Sequence, residues 1–203
     1  PPDWPRIRGI DFGFVRPLAC EWFAEDSDGR WFRYREIYRT GMRNDELRDR
    51  IVELEAQERA ALRTAPAMDD EETARAMLPF VEGGNVILTV TDHDPEAQVT
   101  LSLAGISCVN AIKNRREGVQ IVERALLDRR LFLLRDVTDE PDDALEDLPR
   151  SLEEELPGIE YAPDVETKLE VGKREVPVKA NDHGYDALWY ALLMRSRMWK
   201  VTA

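Results

Sequence analysis

Three groups of acidic residues stand where the sequence changes from one kind of segment to another. They are Asp11 in the apolar run from Ile7 to Gly13, Asp92 and Asp94 just after the β-branched run from Val86 to Thr91, and Asp182 with Asp186 at the start of the last helical segment. Both histidines of the chain, His93 and His183, lie inside these groups. Carboxylates from separate elements are the hard oxygen ligands that Mg²⁺ or Mn²⁺ takes, with water and phosphate completing the shell. Two such ions about 3.5–4 Å apart activate a water and stabilise a leaving oxygen in phosphodiester hydrolysis. Converging carboxylates repel one another unless a cation or a proton relieves them. The groups are therefore expected to be loosely arranged without metal and tightly clustered with it.

Each residue also has a plainer structural reading. Asp94 before Pro95 reads as a helix N-cap, which leaves Asp92 as the better ligand of that pair. Asp182 can simply place charge at a helix start, where the dipole favours it. Asp11 within a strand, and Asp186 a turn into an apolar helix, have less structural excuse. Asp182 and Asp186 are four apart and His183 and Asp186 three apart, so each pair shares a helix face. His183 is either a half-buried histidine or a site residue, and His93 faces solvent. Lys113 and Arg16 are the candidate phosphate contacts, with Lys113 equally readable as a solvated side chain. Two histidines and no cysteine ligand pair make a poor zinc set.

To meet, these residues need a particular set of elements. The runs Leu18 to Phe23 and Trp31 to Tyr38 flank the turn residues Glu25 to Gly29 and form an antiparallel hairpin. Within the hairpin a period of two puts Arg33 and Arg35 together on a solvated face. Asn44 or Asp45 caps a helix through Leu47, Ile51, Leu54 and Leu62 that Pro66 stops, and a second helix covers Glu71 to Leu78. Val86 to Thr91 has almost no polar alternation, the mark of a strand buried on both faces in a parallel part of a sheet. A helix follows from Pro95 and ends at Gly105. Ile106 to Asn110 is the next strand, Asn114 with Glu117 opens a helix through Leu127 as a capping box, and Leu131 to Leu134 is a further strand. Ser151 with Glu154 caps a short helix inside a loop or hairpin excursion over residues 137–175, and a closing helix runs to about Met198. This order implies an α/β fold: a mixed central sheet, antiparallel strands first and parallel strands after, flanked by helices, with the first strand beside both the hairpin and the buried strand.

The 203 residues suit one domain, and 43% hydrophobic with 34% charged residues is the balance of a soluble globular protein. The start has neither the basic flank nor the apolar core of a secretory signal, and no membrane span is expected. Cys20 and Cys108 form no disulfide framework, sit in strands and fit a reducing cytoplasm. A formal net charge of −13 argues against holding nucleic acid by bulk electrostatics. The acid is unevenly placed, however, dense from Asp136 to Glu155, while Lys113 to Arg116 and Arg195 to Lys200 are locally basic.

Taken together, Gly9-Ile10-Asp11-Phe12-Gly13, Arg35 to Thr40, Asp92-His93-Asp94, Ala111-Ile112-Lys113 before Gly118-Val119, and Asn181 to Leu188 resemble the nuclease domain of tailed-bacteriophage terminase large subunits. The likeness spans nearly the whole chain. It implies an RNase H-like fold and a divalent-metal endonuclease that cuts concatemeric double-stranded viral DNA during packaging, in the host cytoplasm. Carried over to this sequence, it makes Asp11, Asp92 and Asp186 the catalytic and metal-holding acids, with Asp182 a further metal ligand and His183 a site residue. It also implies two Mg²⁺ or Mn²⁺ ions, with an ATPase motor domain, a small terminase subunit and a portal as partners. No Gly-x-x-x-x-Gly-Lys-Ser/Thr sequence is present, so the chain reads as the nuclease domain without its motor. Two other readings are a resolvase or integrase of the same fold group, and a non-enzymatic module whose acidic segment from Asp136 to Glu155 binds a partner.

Overall fold

The computed structural model describes residues 4–64, 86–159 and 180–202. The helix expected over Glu71 to Leu78 and the second half of the excursion fall outside the described residues. Strands β1 (Arg6–Asp11), β2 (Leu18–Glu25) and β3 (Trp31–Arg39) pair antiparallel in succession. Strands β4 (Val86–Thr91) and β5 (Cys108–Asn110) extend the sheet in parallel on the other side of β1, and β6 (Leu131–Leu133) adds in parallel to β3. The order is β5-β4-β1-β2-β3-β6, the mixed sheet that the sequence predicts, with β1 between the hairpin and the buried parallel strand.

A period of two along β1 divides its side chains between two helical layers. Ile7, Gly9 and Asp11 face α3 (Arg115–Leu127) and α5 (His183–Thr202), where Ile7, Val119, Val122 and Leu188 share one core. Arg6, Arg8 and Ile10 face α1 (Asn44–Thr64) and α2 (Pro95–Ser102), where Ile10, Trp22, Leu47, Ile51 and Leu101 share the other. Arg6 and Arg8 do not reach solvent; they pair with Glu58 and Glu55 of α1.

The caps follow the sequence in three of four cases. Asp94 accepts from Ala97 N at 2.9 Å, Asn114 from Glu117 N at 3.3 Å, and Ser151 from Glu154 N at 3.3 Å ahead of the short helix α4 (Leu152–Glu155). Gly105 takes the left-handed φ of +78° that ends the α2 segment. At α1 the expectation is corrected: Asn44 is already helical, and Glu46 reaches back to the Arg43 N–H at 2.8 Å. The solvated arginine face is corrected too. A bulge at Tyr34 makes Arg35 oppose Trp22 while Arg33 opposes Phe23, so the two arginines leave on opposite faces. Arg33 is fully buried, 3.0 Å from Glu36 and 3.8 Å from Glu21, both also fully buried.

The described part of the excursion is tied to β3 and α1. Glu36 bridges to Thr138, Thr40 N donates to Asp142 at 2.7 Å, and Arg50 pairs with Asp139 at 2.6 Å. Among the described residues, no helix is long and apolar enough to cross a membrane.

Candidate active site

Asp11 is the last residue of β1, and β4 runs parallel beside it. The Asp92 N–H donates to the Ile10 carbonyl at 3.1 Å, which fixes Asp92 next to Asp11 at the carboxyl ends of the two strands. Ligand sites of parallel sheets collect at such strand ends. From the other side α5 descends onto β1. A Cβ on Gly9 would meet the Ala187 carbonyl oxygen at 2.0 Å, so only glycine lets the helix backbone lie this close to the strand. That contact puts His183 and Asp186, in the first turn of α5, over Asp11.

Asp11 is buried, and its Oδ2 lies 3.0 Å from His183 Nδ1. Burial pushes its carboxyl above the ordinary range; the His183 hydrogen bond opposes this, and the charges of Asp186 and Asp92 add to it. The same coupling acts in reverse on His183. Burial lowers its pKa, but the hydrogen bond and charge of Asp11, with Glu155 and Asp182 behind, leave it raised. Tyr190 donates its hydroxyl to Asp11 Oδ1 at 3.4 Å and accepts from Lys113 Nζ at 2.6 Å; Lys113 in turn lies 2.7 Å from Asp92 Oδ1. A continuous polar chain therefore joins Asp11 to Asp92. Burial first, and then the Asp11 charge, push the Tyr190 hydroxyl well up, so it stays a donor.

Asp186 Oδ1 accepts from the Trp189 indole at 2.8 Å and from Arg115 at 2.6 Å, and the other arm of Arg115 reaches Asp182 Oδ2 at 2.5 Å. Trp189 is itself pressed by α3, where a Cβ on Gly118 would stand 2.3 Å from the indole ring. The start of α5 is held from beneath by Glu155 of α4, whose carboxylate accepts the N–H groups of Gly184 at 3.1 Å and Tyr185 at 2.8 Å and the Tyr38 hydroxyl at 2.5 Å.

Asp11, Asp92, Asp182, His183, Asp186 and Lys113 are thus gathered, as the sequence suggests. Arg16 stands apart, exposed on the β1–β2 loop. His93 is exposed and Asp94 spends its carboxylate on the cap. Gly13 is close-packed by its own loop: a Cβ there would meet the Pro17 and Arg16 carbonyl oxygens at 2.4 and 2.6 Å. An open cleft of about 530 Å³ lined by Phe12, Gly13, Met42, Arg43 and Asp94 lies alongside without including the three acids.

The donor set is hard oxygen, which suits Mg²⁺ or Mn²⁺. Yet among the described residues no three His, Cys, Asp or Glu side chains are drawn together tightly enough to hold a metal ion. The carboxylates are instead engaged by Lys113, Arg115 and His183.

No family model matches the chain, and neither does any curated protein sequence. Among solved structures, the large terminase of a thermophilic bacteriophage superposes with a TM-score of 0.64 at 16% identity, over 94% of this chain and 39% of that one. The nuclease domain of the P22 large terminase superposes with a TM-score of 0.58 at 15% identity, over 97% of this chain and 84% of that one. The chain has the RNase H-like fold of a large-terminase nuclease domain. It spans 39% of the length of the thermophilic phage's large terminase.

On this terminase-type fold, the sequence leaves four side chains of the site unmarked. Arg115 is hidden behind the capping box it follows, and Tyr190 and Trp189 read as ordinary helix core. Glu155 is one acid among many in an acidic segment. Only the i, i+3 spacing of Asp186 and Trp189 and the i, i+7 spacing of His183 and Tyr190, each on one face of α5, carried a signal.

Proposed function

We propose that this chain is a divalent-metal-dependent endonuclease that hydrolyses phosphodiester bonds of double-stranded viral DNA during genome packaging. The observation that carries this reading is that Asp11 and Asp92 end two adjacent parallel strands, while His183, held against Asp11, brings the start of α5 with Asp182 and Asp186 to the same end of the sheet. Asp11, Asp92 and Asp186 would hold the metal, with Asp182 as a further ligand. Bound Mg²⁺ or Mn²⁺, as a pair, supplies an activated water and stabilisation of the leaving oxygen.

The protein side chains prepare that site. His183 and Tyr190 orient the two oxygens of Asp11, and Trp189 fixes Asp186. Lys113, half exposed beside Asp92, and Arg16, exposed on a loop away from the acids, would contact DNA phosphates. With a net charge of −13, the chain relies on partners to hold duplex DNA. Those partners are an ATPase motor domain, the small terminase subunit and the portal, working in the host cytoplasm. The likeness to the two phage terminase folds supports this context.

Incubation of supercoiled plasmid with the chain and Mn²⁺ or Mg²⁺ tests the proposal. Cleavage is expected, and Asp11→Asn or Asp186→Asn should reduce it by at least about a hundredfold, the scale at which lost electrostatic and metal-ligand groups act. Circular dichroism of both variants should be unchanged. Wild-type rates in either variant would sink the reading.

A further inference from the structure

We infer that Lys113 and Arg115 are internal counter-ions of the acidic site, competing with divalent metal for the carboxylates of Asp92, Asp182 and Asp186. The inference rests on the reading of these acids as metal ligands.

Both cations come from the junction of β5 and α3, two positions apart, with the α3 N-cap Asn114 between them. Arg115 spreads its fork across Asp186 at 2.6 Å and Asp182 at 2.5 Å, whose side chains are only 3% and 4% exposed. Lys113 sits 2.7 Å from Asp92 and 4.1 Å from the centre of the Tyr190 ring. The oxygen of Asp186 that Arg115 holds also takes the Trp189 N–H, so a metal approaching it meets a charged donor already in place.

The charges decide what happens next. Asp11, Asp92, Asp182 and Asp186 carry four negative charges when ionised, and two divalent ions carry four positive ones. With both ions bound, Lys113 and Arg115 are surplus positive charge against neutralised carboxylates, and their pairs lose their electrostatic reason. Without metal, Arg115 is what keeps the buried carboxylates of Asp182 and Asp186 tolerable, and Lys113 offsets the half-exposed Asp92. The Arg115 Nε is buried and has no hydrogen-bond partner among the described residues, so the two carboxylates do not use all of its donors.

Mn²⁺ titration by calorimetry at pH 8 tests this on the whole chain. Lys113→Met and Arg115→Gln should each tighten Mn²⁺ binding several-fold, and the double variant by about tenfold or more. The metal-free variants should melt lower than the wild type but gain more in Tm from Mn²⁺. A merely structural role predicts the opposite, weaker binding at a damaged site. Binding equal to or weaker than wild type in Lys113→Met and in Arg115→Gln overturns the inference, as does absence of Mn²⁺ binding in every form. If Arg115→Gln fails to fold, Lys113→Met decides alone. Tightened binding in a chain that never cuts DNA would keep this inference and remove the nuclease reading; DNA cleavage with unchanged Mn²⁺ affinity would do the reverse.

Discussion

The imidazole Nδ1 of His183, the first residue of α5, lies 3.0 Å from Oδ2 of Asp11, the last residue of β1. This contact joins the closing helix to the central strand at the point where the candidate chemistry would occur. Because the folded pKa of His183 is raised despite burial, its stabilising effect is fully present below the unfolded value near 6.5. It is lost as pH rises through the folded value. In metal-free urea unfolding, the advantage of wild type over His183→Gln should therefore shrink from pH 6 to pH 9. The difference at pH 6 should be about 1 kcal/mol. A constant difference across that range would show that the pair is not charge-assisted.

Glu155 gives a second, separable pH effect. Burial raises its carboxyl to about 7, against the opposing hydrogen bonds from Tyr38, Tyr185 and Gly184. An acid that binds its proton more tightly when folded loses stabilisation as pH rises from its unfolded value to its folded one. Stability should decline between about pH 4.5 and 7 by up to about 3 kcal/mol, and Glu155→Gln should flatten that slope. Unfolding midpoints measured at half-unit intervals provide the comparison.

Gly118→Ala would ordinarily help a helix by about 1 kcal/mol. Here the new methyl would stand 2.3 Å from the Trp189 ring, and overpacking of about 1–3 kcal/mol wins. Net destabilisation is expected in denaturant melts. In a nuclease assay, Trp189→Phe, which removes the hydrogen bond to Asp186, should lower kcat about tenfold with the fold intact.

Arg33 is the buried cation of a chamber that also holds Glu21 and Glu36. Arg33→Met should cost about 3–5 kcal/mol by leaving buried charge uncompensated. Burial, then the charge of Glu36, raise the Glu21 carboxyl well above its usual range. Glu21→Gln should therefore cost under about 1 kcal/mol alone and recover part of the Arg33→Met loss, which a double-mutant cycle would read.

Sequence patterns that act locally were legible. The unbroken apolar run of β4, the Asp94-Pro95 and Asn114–Glu117 helix starts, and the acids at element ends all mark their positions without knowledge of the fold. What stayed hidden depends on partners distant in the chain. The bulge at Tyr34 changes the face of Arg33 by one residue, and periodicity alone cannot see an inserted residue. Glu155 holds a helix that begins 28 residues later, after an intervening segment. Asp11 stands out because a carboxylate on an apolar strand is conspicuous, whereas Arg115 does not, because arginine in a first helical turn is ordinary.

At Gly9 the backbone of α5 lies directly against β1. The nearest helix atoms there belong to the Ala187 main chain, with the small Ala191 methyl beside them. The separation of the strand acid from the helix acid is thus set by close van der Waals contact between two backbones rather than by the volume of whichever apolar residues fill the core. Substitutions elsewhere in the interior can accumulate, each absorbed by repacking, while this span stays the same. A ruler made of peptide units tolerates extensive rewriting of the side chains around it, provided position 9 stays bare.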